Sequence, residues 1–133
     1  MIRADRQRMD SVELKPFADL FRRGVGSVMV AHLNVPAIDT TQGLASTLSP
    51  FVVQKLLKDS MAFEGLVFTD ALNMKGVAAY FRPGELELRA LMAGNDVLLY
   101  SENIPEAIRV IDSAVTAGLV SVSRLDSSVR KIL

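Results

Sequence analysis

Apolar residues fall along the chain in short blocks with two kinds of spacing, and their alternation predicts a repeating strand-helix order. Three blocks are continuous runs: Val25 to Leu33 (VGSVMVAHL), Gly65 to Phe68 (GLVF) and Asp96 to Tyr100 (DVLLY). Runs rich in β-branched and aliphatic residues, bounded by Gly or polar residues, predict strands of a parallel sheet covered on both faces. The other blocks recur at helical spacing. Phe17, Leu20 and Phe21 predict a helix from about Pro16 to Arg23, with Pro16 in its first turn and Gly24 as its stop. Ser49 and Pro50 open a second helix, with Phe51, Val52, Leu56, Leu57 and Met61 on its buried side and an end near Met61 to Phe63. Leu86, Leu88, Leu91 and Met92 make a third, closed by Gly94. Pro105 starts a fourth, in which Ala107, Ile108, Ile111, Ala114 and Val115 face inward and Gly118 stops the turn. Leu125, Val129, Ile132 and Leu133 make a last helix with no cap beyond it, which reads as a cut.

The remaining stretches read as connections. Met1 to Met9 carries Arg3, Arg6 and Arg8 without an apolar face and is expected to be an exposed lead-in. Asn34 to Leu48, with Pro36, Gly43 and several Ser and Thr, is too long for a plain connector. The stretch from Gly76 to Gly84 is expected to be loop. The order is therefore one helix followed by three strand-helix units, an α/β class with a parallel sheet and right-handed crossovers. An open doubly wound sheet and an arc of a (β/α)8 barrel both fit the pattern. A complete barrel takes eight units and typically about 250 residues, so this chain supplies only part of one.

Composition narrows the function classes. With 133 residues, 50% of them hydrophobic and 23% charged, the chain has the makings of one globular domain. Fifteen basic and fifteen acidic residues cancel, so no nucleic-acid footprint and no basic membrane patch is expected. The absence of cysteine removes disulfides and thiolate metal sites. No apolar run approaches the roughly 20 residues of a membrane span, and the segment MIRADRQRMD lacks the hydrophobic core of a signal peptide. As written, the expected compartment is the cytoplasm, or the periplasm where a preceding segment carries an export signal. No cofactor is implied.

The chemistry concentrates at strand ends. Asp70 follows the run ending in Phe68-Thr69, at the C-terminal strand edge where strand-helix folds bind ligands and carry catalytic side chains. An Asp there can also cap a helix or shape a turn. His32 and Asn34 end the first run, and His32 reads equally as a substrate contact or a hydrogen-bonded packing residue. A phosphorylated receiver domain shares the Asp at a strand end, but it needs an acidic pair after its first strand to hold Mg²⁺. Here Ala31, His32 and Asn34 stand in that place, and Ser101, Glu102 and Asn103 follow the last strand where a lysine is required.

Five blocks in order, VMVAHLNVPAID (Val28 to Asp39), TLSP (Thr47 to Pro50), GLVFTDALNMKGV (Gly65 to Val77), RALMAGNDVLLY (Arg89 to Tyr100) and SRLDSSVRKIL (Ser123 to Leu133), resemble glycoside hydrolase family 3, in its β-N-acetylglucosaminidase branch. The resemblance implies that the blocks are strands six to eight of a (β/α)8 barrel with their helices, so that residues 1–133 form a single partial domain from the C-terminal portion of the catalytic barrel. It implies that Asp70 is the nucleophile of a retaining hydrolysis of terminal β-linked N-acetylglucosamine, in a glycan or cell-wall fragment. His32 and Asn34 would lie on the substrate-facing rim. Asn73 and the backbone of the Ala71 to Met74 loop would supply donors that keep Asp70 ionised. In that branch the acid/base is a His-Asp pair on an earlier loop, near a Lys-His-Phe-Pro-Gly-His-Gly stretch; neither occurs here, and His32 is the single histidine. The chain is thus expected to hold the nucleophile without its proton donor and to be inactive alone, the alternative being a non-catalytic remnant. Its exposed sheet edges are expected to promote self-association.

Overall fold

The computed structural model describes residues 1–133. Two parallel strands, β1 (Ser27–Val30) and β2 (Leu66–Thr69), pair in register from Ser27 opposite Leu66 to Val30 opposite Thr69. The longer helices around them are α1 (Lys15–Arg22), α2 (Phe51–Ser60), α3 (Glu85–Ala93), α4 (Ile104–Thr116) and α5 (Val122–Ile132). The helix stops are those the glycines predict. Gly24, Gly94 and Gly118 have φ of 79°, 116° and 74°, left-handed values that an L side chain rarely adopts.

The third predicted strand, Asp96 to Tyr100, is reduced to a single parallel bridge between Phe68 and Val97. Its ladder starts normally, since Asp96 N–H reaches the Val67 carbonyl at 2.7 Å and Thr69 N–H reaches that of Val97 at 3.0 Å. Leu99 N–H then turns to the Thr69 hydroxyl at 2.9 Å instead of a main-chain carbonyl, and Tyr100 adopts a φ of 51°, which ends the extended run.

Alternation along the strands sets two different faces. Val28, Val30 and Val67 pack against Val52, Val53, Leu57 and Phe63, so one face of the sheet is buried beneath α2. Met29 and Phe68, paired in register, point the other way, and Met29 is 55% exposed. A second cluster joins Leu48, Leu72, Val77, Leu86 and Ala90, and a third joins Leu91, Ala114 and Val120. At the lower end of the sheet, the buried Asp96 carboxylate ties α5 and α2 to β2. It accepts hydrogen bonds from the Ser128 hydroxyl at 2.6 Å, the Lys58 ammonium at 3.2 Å and the Val67 amide at 3.1 Å, with Arg124 and Lys131 beside it.

Several expectations need correction. Met9 is buried rather than exposed, because Arg6–Arg8 forms a helical turn that widens through Met9–Glu13. Lys75–Ala78 is a short helix inside the expected loop, closed where Val77 sinks into the second cluster. In α2 the wider, π-type winding turns Phe51 outward and brings Val53 to full burial beside Val52, Leu56 and Leu57. Ile108 on α4 (62% exposed) and Val129 and Ile132 on α5 (49% and 56%) stay exposed, while Ile111, Ala114 and Leu125 of the same helices join the third cluster. No helix is long and apolar enough to cross a membrane.

Candidate active site

Both strands end at the same edge, and Asp70 and His32 meet there around Ala71. Asp70 is the first residue beyond β2, and its N–H continues the ladder to the Val30 carbonyl at 3.0 Å. The side chain is half-buried, and Oδ1 accepts the Ala71 amide hydrogen at 2.8 Å. That bond occupies one carboxylate oxygen and leaves Oδ2 without a protein donor.

His32 lies two residues beyond β1 and is half-buried. Its Nδ1 stands 2.8 Å from the Thr47 hydroxyl and its Nε2 stands 3.0 Å from the Ala71 carbonyl. A carbonyl only accepts, so Nε2 carries a proton. Thr47 is fully buried, with its hydroxyl 3.1 Å from the Val30 carbonyl and 3.0 Å from that of Ala31. The ring therefore spans the gap between the end of β1 and the loop that follows Asp70.

Asn34 works on a different connection. Its Nδ2 donates to the Leu44 carbonyl at 3.2 Å and its own carbonyl accepts Ile2 N–H at 2.8 Å, so it braces the long Asn34 to Leu48 loop. The same loop is fastened by the buried Asp39, which accepts from the Ser49 hydroxyl and the Thr41 amide. Burial pushes the Asp39 carboxyl up, but these donors prevail and hold it below the usual carboxylate range. Asn73 is exposed on the loop after Asp70, and the donor on the carboxylate is the Ala71 amide instead. Structure thus brings Asp70 and His32 together around Ala71 and leaves Asn34 and Asn73 at the margins.

One participant escaped the sequence reading: Thr47 reaches the site across 15 residues, which no local spacing encodes. Apart from the site, Glu87 on α3 is buried with its Oε1 taken by the Ser101 hydroxyl and its Oε2 unpartnered. It borders a cavity of about 300 Å³ that is also lined by Leu72, Phe81, Arg82 and Glu102 and does not include Asp70. No three His, Cys, Asp or Glu side chains converge in a way that would hold a metal ion.

Comparisons with known proteins bear on the family and the fold. Residues 1–133 match the family model described as the glycosyl hydrolase family 3 N terminal domain. The chain is 35% identical over 127 residues to a β-hexosaminidase of Methylococcus capsulatus, covering 91% of this chain and 37% of that protein. It is 32% identical over 118 residues to a β-N-acetylglucosaminidase/β-glucosidase of Cellulomonas fimi, covering 83% of this chain and 21% of that protein. The solved structure of a glycoside hydrolase family 3 β-N-acetylglucosaminidase from Paenibacillus sp. str. FPU-7 superimposes with a TM-score of 0.88 at 35% identity, over 96% of this chain and 25% of that one. The chain therefore spans well under half the length of these relatives.

Proposed function

Since the chain belongs to glycoside hydrolase family 3, we propose that it is the nucleophile-bearing part of a retaining β-N-acetylhexosaminidase, acting on terminal β-linked N-acetylglucosamine. The observation that carries this reading is the Asp70 carboxylate at the C-terminal end of β2, with Oδ1 held by the Ala71 amide and Oδ2 free. Relatives named as β-hexosaminidase and β-N-acetylglucosaminidase support the substrate class.

In this reading residues 1–133 form a partial domain equivalent to strands six to eight of the barrel. A sheet covered by α2 on one face, with Met29 bare on the other, supports it. Asp70 attacks the anomeric carbon, and the leaving oxygen receives a proton from a second group about 5 Å away. The resulting glycosyl-enzyme is released by water that the same second group activates. That group belongs to the part of the barrel that precedes these blocks. General acid/base help is typically worth about 10²- to 10⁴-fold, so the chain alone is expected not to hydrolyse aryl N-acetyl-β-glucosaminides at a useful rate.

The test is kinetic. Joined to the first five strand-helix units of a homologous barrel, the chain is expected to hydrolyse nitrophenyl N-acetyl-β-glucosaminide, and Asp70→Asn to lower kcat by at least about 10³-fold. An Asp70→Asn protein that keeps its rate would overturn the reading.

A further inference from the structure

We propose that His32 is a positioning residue that latches the Asp70 loop to β1 and thereby fixes the direction of the Asp70 carboxylate; this rests on Asp70 being the nucleophile. Three successive amides around the site are each tied to a different anchor. Asp70 N–H is held by the Val30 carbonyl at 3.0 Å, Ala71 N–H by Asp70 Oδ1 at 2.8 Å, and Leu72 N–H by the Leu99 carbonyl at 2.9 Å. The Ala71 carbonyl accepts the Met74 amide hydrogen at 3.2 Å within the turn, and the one bond that ties it to β1 is His32 Nε2–H at 3.0 Å.

The peptide between Ala71 and Leu72 is therefore gripped from both flanks, by His32 from the β1 side and by Leu99 from the third strand. Leu72 is 1% exposed, so it cannot follow a rotation of that peptide without leaving the second cluster. The ring is itself fixed, because Nδ1 meets the hydroxyl of the fully buried Thr47 at 2.8 Å. With both ring nitrogens engaged inside the protein, His32 has no N–H left over for a sugar. Its contribution passes through Ala71, whose amide sets which carboxylate oxygen is occupied and which one faces the substrate. Alignment of the attacking atom contributes to the rate, and a misplacement of about 1 Å can cost about 10²-fold.

His32 is the single histidine of the chain, which makes the latch directly observable. In the ¹⁵N-labelled chain, the ring spectrum should show a protonated, slowly exchanging Nε2. A neutral ring protonated only at Nδ1 would overturn the proposal without any mutation. In His32→Phe, which keeps the volume and loses the donor, hydrogen exchange at Leu72 should accelerate at least tenfold, while the core amide of Val67 stays as in wild type. His32→Gln, which keeps a donor, should recover most of that protection. Unchanged Leu72 exchange in His32→Phe would overturn the latch.

In the completed barrel, His32→Phe should lower kcat about 10- to 100-fold with KM within about threefold, as expected when alignment and not substrate binding is lost. A raised KM at unchanged kcat would overturn the positioning role and make the ring a substrate contact. Asp70→Asn, assayed beside it, separates the two claims. Full activity in Asp70→Asn with faster Leu72 exchange in His32→Phe removes the nucleophile reading and leaves the latch standing; an inactive Asp70→Asn with unchanged exchange removes the latch alone.

Discussion

Asp96 accepts the amide hydrogen of Val67, with Oδ2 3.1 Å from the nitrogen, and so joins the start of the third strand to the middle of β2 at the end of the sheet opposite Asp70. Its side chain is 1% exposed and faces Lys58, Arg124 and Lys131. Burial pushes this carboxyl up, but the Ser128 hydroxyl, the Val67 amide and the charges of Lys58 and Lys131 outweigh it and hold it below its ordinary value. A carboxylate depressed on folding stabilises the fold fully above its unfolded pKa of about 3.9 and loses that contribution as pH falls through the folded value. Urea melts should therefore show stability falling on the acid side of about pH 4. Asp96→Asn should cost about 3–5 kcal/mol at neutral pH, because the cations lose their partner, and should flatten the acid limb. An unchanged acid limb in the variant would show that Asp96 is not its source.

Gly65 is required by close approach. A Cβ there would stand 2.5 Å from the Gly26 carbonyl oxygen and 2.6 Å from the Phe63 ring, whereas a Cβ at Gly26 meets nothing within 4 Å. Gly65→Ala should destabilise by about 1–3 kcal/mol, the usual cost of overpacking, and Gly26→Ala should stay within about 0.5 kcal/mol of wild type. Equal melting points for the two variants would contradict the packing at the start of β2.

Exposed apolar side chains have consequences in solution. Met29 on the sheet is 55% exposed, Ile108 on α4 62% and Ile132 on α5 56%, and unpaired strand edges with apolar flanks invite association. Light scattering on the purified chain should give a mass above the monomer that grows with concentration, with a broad or low thermal transition. A monodisperse monomer with a sharp, high transition would identify residues 1–133 as a self-sufficient domain.

Much of this was legible in the chain, for identifiable reasons. The run GLVFTD reads as a strand delivering an acid to its C-terminal edge, and Thr69 and Asp70 stand there. Gly24, Gly94 and Gly118 mark helix ends because their left-handed φ is a local property. What failed depends on partners distant in sequence. DVLLY has the composition of a strand, yet the Thr69 hydroxyl intercepts Leu99 N–H, a competition no periodicity reveals. The run from Val25 to Leu33 shortens to Ser27–Val30, which leaves His32 two residues beyond β1, and its partners lie 15 and 39 residues away, so its two-sided grip was hidden. The Asp96 network was missed for the same reason, as Lys58 and Ser128 approach from 38 and 32 residues away.

The most direct measurement is covalent. In the chain joined to the remaining strand-helix units, a slowly hydrolysed fluorinated N-acetylglucosaminide should accumulate a glycosyl-enzyme, since a retaining mechanism passes through one. Peptide mapping by mass spectrometry should find the sugar on Asp70, within the peptide containing GLVFTDALNM, and Asp70→Asn should remain unlabelled. A sugar attached to any other residue, or equal labelling of the Asp70→Asn protein, would contradict the assignment of Asp70 as the nucleophile.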